Sequence, residues 1–132
     1  MGEDPDFHMK LGRGGMSDVE WTVQLLQMEH GFTDHSIRTP STLGAVAALE
    51  AAGLLSPGEA AAMADAYRFC ASARNRLFLR EGRGRDSLPS DGEEAARLAR
   101  SLGYDTNPRS TLREHYRRVT RRARRVMEER FW

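Results

Sequence analysis

The stretch Met9–Gly31, MKLGRGGMSDVEWTVQLLQMEHG, decides how the rest of the chain is read. On its left, Phe7, Met9 and Leu11 alternate with His8 and Lys10. A two-residue apolar period belongs to extended backbone, so a short arm or strand is expected here. Gly12, Gly14 and Gly15 follow and open backbone angles that other residues avoid, which predicts a tight turn. Ser17, with Glu20 three residues on, has the form of a capping box and predicts a helix start at Ser17. Val19, Val23 and Leu26 fall on one face of that helix; Trp21, Leu25, Met28 and Phe32 fall on another. Two apolar faces predict a helix packed on both sides, at the centre of the fold.

Outward from this stretch the same punctuation recurs. Residues 1–8, acidic and carrying Pro5, read as a flexible lead-in, and residues 9–132 as one domain. The first helix is expected over Ser17–His30, with Gly31 as a left-handed terminator. Phe32–Thr39 reads as a loop, and Thr39-Pro40-Ser41 opens a second helix ending near Gly53, with Leu43, Val46, Ala47 and Leu49 or Glu50 at helical spacing. Ser56-Pro57-Gly58-Glu59 is a second capping box and opens a long helix to about Glu81. Met63, Ala66 or Tyr67, Cys70, Ala73 and Leu77 form its inner stripe, with Arg68, Arg76 and Arg80 outside. Gly82–Pro89 breaks it. Ser90 with Glu93 caps a short helix closed by Gly103, and Asn107-Pro108 starts a last helix running nearly to Trp132. Leu112, Tyr116, Val119, Ala123 and Val126 are spaced 4, 3, 4, 3, the seam of a helix lying along a partner. No valine- or isoleucine-rich strand run appears after residue 12, so the fold class is all-α: a bundle of about five helices with a short extended N-terminal arm.

The 132 residues suffice for one domain with a real core. No run of about 18 apolar residues occurs, and no basic-apolar-small leader pattern. The single cysteine, Cys70, excludes an internal disulfide and a cysteine-cluster metal site, and lies on an apolar helical stripe, as a buried small side chain does. These features suit a reducing cytoplasm. Net charge is +1, but nineteen of the twenty basic residues are arginine, Lys10 being the exception, and nine arginines crowd Arg109–Arg130. That clustering says more than the count.

Three features bear on chemistry, each beside a plainer reading. The turn Gly12-Arg13-Gly14-Gly15 at a helix start offers converging amides, with charge from Lys10 and Arg13, and so suits a phosphate. It has no GxxxxGK[ST] and lacks the third glycine of the dinucleotide fingerprint, and a tight turn between arm and helix accounts for it equally. Asp18 and Glu20 are carboxylates close enough to that turn to orient a cation, yet the first turn of any helix favours acids. Capping accounts for Glu20 and leaves Asp18 open. The last helix presents Arg113, Arg117, Arg121, Arg124 and Arg125, which suit nucleic acid, an acidic protein surface, or a merely solvated outer face. The four histidines show no HxxxH or HExxH spacing, and no GxSxG is present, so zinc and serine-hydrolase chemistry lack support.

Lys10-Leu11-Gly12-Arg13-Gly14-Gly15-Met16-Ser17-Asp18-Val19-Glu20-Trp21, continued by Val23-Gln24, resembles the segment K-x-G-x-G-G-x-x-D-[IV]-E-[FW]-x-V-Q. That segment follows the nucleotidyltransferase domains of the glutamine synthetase adenylyltransferase family. The order downstream is similar too: Arg38-Thr39-Pro40-Ser41-Thr42, Gly53-Leu54-Leu55, Ala66-Tyr67-Arg68-Phe69, Arg74-Asn75, Asp86-Ser87-Leu88-Pro89 and Tyr116-Arg117-Arg118-Val119-Thr120. The likeness covers residues 5–132, and the arginine-rich, tryptophan-containing version looks actinobacterial. It implies a C-terminal helical domain of an enzyme that transfers AMP from ATP to glutamine synthetase and removes it again. Magnesium and ATP are implied for the whole enzyme, and none for this chain. Glutamine synthetase, the PII signalling protein and an intramolecular nucleotidyltransferase domain are the implied partners. The family's catalytic GS…DxD segment has no counterpart here, so no catalytic residue and no activity are expected of this chain alone. The resemblance makes Lys10, Arg13, Gly14, Gly15 and Asp18 candidates for the border of a nucleotide cleft. The five arginines of the last helix become candidates for partner binding. The competing expectation is a free-standing basic module for nucleic acid or an acidic protein.

Overall fold

The computed structural model describes residues 7–82 and 85–131. The expected lead-in falls mostly on residues 1–6, outside the described residues, and Trp132 lies outside them as well. Among the described residues five helices follow one another: α1 (Met16–His30), α2 (Thr42–Ala51), α3 (Pro57–Glu81), α4 (Gly92–Ser101) and α5 (Pro108–Phe131), with a short 3-10 turn at His35–Ile37. The all-α bundle is as expected. Before α1 runs an extended arm whose His8 forms an antiparallel bridge with Ser87.

Each start has a local cause. Ser56 accepts from Glu59 N–H while the Glu59 carboxylate accepts from Ser56 N–H, completing the capping box, with Pro57 in the first turn of α3. Ser41 caps α2 by accepting from Gly44 N–H. Pro108 opens α5 as expected. At α4 the cap is Asp91, not Ser90, and it accepts from Glu94 N–H at 3.0 Å. A carboxylate is the stronger acceptor at a positive helix end.

Two expectations about α1 fail. The Ser17–Glu20 capping box does not form; the helix enters one residue earlier, with Gly15 at the cap and no side-chain cap bond. The orphan amides are taken by the arm instead: Met16 N–H donates to Met9 O at 2.9 Å and Ser17 N–H to Lys10 O at 2.8 Å. Gly31 is not left-handed either, with φ −66°. Its N–H bonds Gln27 O, its carbonyl accepts from Arg38 Nε, and the chain continues right-handed into the loop.

The centre of the bundle is α3, not α1: α3 packs against α1, α2, α4 and α5. Its stripe Met63, Ala66, Cys70, Ala73 and Leu77 is buried as expected, and the seam of α5 is buried throughout. On α2 the buried set is Ala45, Val46 and Leu49, so Ala47 and Glu50 face outward. On α1, Val19, Val23 and Leu26 are buried, whereas Trp21, Met28 and Phe32 are 58%, 73% and 86% exposed. The second apolar face predicted for α1 exists, and among the described residues nothing covers Trp21, Met28 or Phe32, while Leu25 is half-buried.

Candidate functional site

The arm joins the far end of the chain through its two inward residues. Phe7 and Met9 are buried, while Leu11, the third residue of the alternation, is exposed. Phe7 O accepts from Leu88 N–H at 3.0 Å and Met9 N–H donates to Asp86 O. The 86–88 segment is itself tied to α3 by Arg74, whose guanidinium bonds Asp86 at 2.8 and 2.9 Å. On its other side Phe7 meets Tyr116 of α5 (ring centroids 5.4 Å), and Tyr116 OH donates to His8 O at 3.2 Å.

This anchoring brings the glycine turn down onto α5. Gly14 has φ +73°, and a Cβ there would overlap the Thr120 carbonyl, lying 2.5 Å from its carbon and 2.9 Å from Thr120 Cα. Only glycine permits that approach. A Cβ on Gly15 would meet Met9 O at 2.5 Å, so the turn is also closed against the arm. Asp18 locks the joint. Its Oδ2 accepts from Gly14 N–H at 2.7 Å and from Arg124 Nη1 at 3.1 Å, both side chains of the ion pair being 18% exposed. Arg124 also holds Glu128 at 2.9 Å, and the Glu128 bond, joined by that to Asp18, raises its pKa.

All but one of the amides from Leu11 to Ser17, that of Arg13, are satisfied inside the protein. Those of Gly12, Gly15, Met16 and Ser17 bond backbone carbonyls, Leu11 N–H bonds His8 Nδ1, and Gly14 N–H bonds Asp18. They leave no amide nest of the kind a phosphate-binding loop presents. What the joint creates is a cleft of about 690 Å³. Leu11, Gly12 and Arg13 form its turn side; Tyr116, Arg117, Thr120, Arg121, Arg124, Arg125 and Glu128 form its α5 side. Among the described residues, no ion pair within 4.0 Å involves Arg13, Arg117, Arg121 or Arg125.

The cleft gathers residues from both candidate groups. Of the turn residues, Arg13 lines it, Asp18, Gly14 and Gly15 build the joint behind it, and Lys10 is exposed outside the lining. Of the α5 arginines, four line it; Arg113 instead lies 3.9 Å from the Phe7 ring centroid and lines a neighbouring hollow with Arg109 and Arg117. Sequence reasoning missed Thr120 and Glu128. It also missed a second hollow of about 400 Å³ lined by Asp65, Arg68, Phe69, Tyr104 and His115. There Tyr104 OH bonds His115 Nδ1, and burial, reinforced by Arg118, depresses the imidazole pKa against the opposing effect of Asp65. Among the described residues no three His, Cys, Asp or Glu side chains gather as metal ligands, and no helix is long and apolar enough to cross a membrane.

The family described as GlnD PII-uridylyltransferase matches residues 3–131. Over 131 residues the chain is 49% identical to a bifunctional glutamine synthetase adenylyltransferase/adenylyl-removing enzyme of Streptomyces avermitilis, covering 99% of this chain and 13% of that protein. It is 44% identical to the Streptomyces coelicolor protein of the same name, again with 99% and 13% coverage. Against the Nocardia farcinica protein of that name it is 43% identical, with 98% and 13% coverage. The chain thus spans about an eighth of the length of the curated relatives it matches.

Proposed function

The chain belongs to the GlnD PII-uridylyltransferase family, and on that premise we propose that it is a helical domain of an enzyme that adenylylates and deadenylylates glutamine synthetase. In this reading it is seated against a nucleotidyltransferase domain elsewhere in the same polypeptide and supports that domain's active site.

The observation that carries the reading is the uncovered face of α1. Trp21, Leu25 and Met28 recur at intervals of 4 and 3, the spacing of a packing seam, with Phe32 just past the helix end; Trp21, Met28 and Phe32 stand in solvent and Leu25 is half-buried. A contiguous exposed apolar stripe of this kind marks a surface for another protein unit. The nucleotidyltransferase domain is that unit here. Lys10, Arg13, Gly14, Gly15 and Asp18 then border its nucleotide cleft, with Arg13 facing the ligand and the other turn residues holding the joint. The basic face of α5 is left for glutamine synthetase or the PII signalling protein.

Magnesium and ATP belong to the whole enzyme in this reading, in a cytoplasmic setting that suits the one buried thiol. The residues here do not fit a magnesium site: Asp18 is already engaged by Arg124 and Gly14, Glu128 is engaged by the same Arg124, and no group of three or more His, Cys, Asp or Glu gathers among the described residues. A magnesium ion of the whole enzyme would therefore be held by carboxylates other than Asp18.

The test places Trp21→Ser and Phe32→Ser together in the full-length enzyme and follows AMP transfer to glutamine synthetase. Transfer falls at least tenfold, while the same pair changes the stability of the 132-residue chain by no more than about 0.5 kcal/mol each, as exposed positions do. Undiminished transfer refutes the seating.

A further inference from the structure

We infer that the seat of the α4–α5 turn on the bundle is a proton-sensitive latch: a proton taken up by His115 loosens residues 102–107 and leaves the rest of the fold in place. The latch stands on the far side of α5 from the glycine turn and does not depend on the seating of α1.

Geometry comes first. The first amides of the turn bond back into α4, Tyr104 N–H to Ala99 O at 3.0 Å among them, and Thr106 O accepts from Thr111 Oγ1 at 3.0 Å. These bonds tie the turn only to the two helices it joins. Leu102 and Tyr104 are the turn residues that pack on the core. The Tyr104 ring stands edge-on to His115 of α5, with centroids 5.7 Å apart, and His115 stands edge-on to Phe69 of α3 at 4.8 Å. Tyr104 OH closes the contact by bonding His115 Nδ1. Three rings from three elements form one column, and the imidazole is its middle member.

The column is built for a neutral imidazole. Burial, against the opposing effect of Arg118, raises the phenol pKa, so Tyr104 keeps its proton and donates it to Nδ1. The proton of the neutral ring then sits on Nε2. A second proton, on Nδ1, turns the acceptor into a donor. The contact survives only if the hydroxyl rotates and accepts, and a phenol oxygen, its lone pair drawn into the ring, accepts poorly. The surrounding charges act in the same direction. Asp65 and Arg68 face the ring from α3, Tyr104 from the turn and Arg118 from α5 itself, which sets two fixed cations against one carboxylate. Burial, reinforced by Arg118 and opposed by Asp65, holds the imidazole below its ordinary 6.5. A base lowered in this way stabilises the seated turn fully above about 6.5 and loses that contribution as pH falls through the lowered value. Once the turn lifts, the ring meets water on that side and takes its proton closer to the ordinary pH.

The experiment is amide hydrogen exchange of the 132-residue chain, followed by NMR from about pH 7.5 to about pH 5 and expressed as protection factors, which removes the intrinsic pH dependence of exchange. The Tyr104 amide reports the turn, and the Cys70 amide, inside α3, reports the remainder of the fold. Over this range Tyr104 protection falls at least threefold with a midpoint below 6.5, matching the His115 ring titration, while Cys70 protection holds within about 1.5-fold. His115→Gln keeps an acceptor for the phenol but does not titrate, and abolishes the fall. Arg118→Gln moves the midpoint to higher pH and Asp65→Asn to lower pH; both positions are exposed, so these two variants keep the test sound if His115→Gln packs badly. A Tyr104 protection that does not change with pH overturns the inference, as does a fall that persists in His115→Gln. A parallel fall at Cys70 overturns it in favour of general acid destabilisation. Ring nitrogen shifts that place the neutral proton on Nδ1, or the same midpoint in the Arg118 and Asp65 variants, overturn it too.

Discussion

Replacing Gly14 with alanine tests the joint on which the cleft depends. The residue has φ +73°, a conformation that costs a non-glycine residue about 1 kcal/mol. Steric overlap costs more. The new methyl would lie 2.5 Å from the Thr120 carbonyl carbon and 2.9 Å from its Cα, against an ordinary carbon separation of about 3.5–4.0 Å. Both obstacles are helix backbone, which cannot rotate away as a side-chain tip does. The turn and α5 must separate by roughly an ångström, loosening Tyr116 against Phe7 and the Asp18–Arg124 pair. Forcing a methyl into such packing costs about 3 kcal/mol more. Gly53→Ala is the internal reference: φ there is +77°, but no atom lies within 4 Å of its Cβ position, so backbone strain alone operates. Thermal unfolding followed by circular dichroism should show Gly14→Ala melting roughly 15 °C below the parent and Gly53→Ala roughly 4 °C below, at about 4 °C per kcal/mol for a domain of this size. Urea titrations give the same ranking at 25 °C. If the two variants differ by less than about 1 kcal/mol, the close approach of the turn to α5 is wrong, and the cleft built on it falls too.

Two further outcomes follow from ionisable groups. Arg130, bonding Glu59 at 2.7 and 2.9 Å, holds that carboxyl down at about 2 from an ordinary 4.5. A carboxyl lowered in the folded state stabilises above its unfolded pKa and loses that contribution as pH falls from about 4.5 towards 2. After allowance for solvent screening of a partly exposed pair, Arg130→Met should cost about 1 kcal/mol at pH 7 and progressively less in that acid window. A urea-midpoint difference that stays constant down to pH 2.5 would sink this assignment. Burial in α3 pushes the Cys70 thiol up to about 12, so it should resist a disulfide reagent at pH 8 in the folded chain and react fully in urea. Fast labelling of the native protein would contradict the packing of α3.

The residues that were legible one at a time are those governed by short-range physics. Pro57 with the Ser56–Glu59 box, Pro108, and the buried seam of α5 all rest on interactions reaching no further than four residues. Ser17 shows the limit of that logic. Its sequence context is a cap, but carbonyls of Met9 and Lys10 reach the first amides and make the hydroxyl unnecessary. Asp91 displaced Ser90 for an equally local reason, acceptor strength, which a residue-type preference does not resolve between neighbours.

The candidate site was legible as two lists and not as one place. The arginine row on α5 and the glycine-rich turn are each visible in the sequence, but Asp18 and Arg124 meet across 106 positions. No periodicity encodes a contact of that range. The five helices, the caps of α2 and α3 and the two apolar faces of α1 were determined by the sequence itself, because propensity and amphipathicity act within a helical turn. Only the tertiary structure decided that one face of α1 is buried and the other left bare, that α3 takes the centre, and that the turn closes on α5 to make a cleft. Those outcomes depend on which surfaces compete for the same partner, and that competition is settled by the packing of the whole chain.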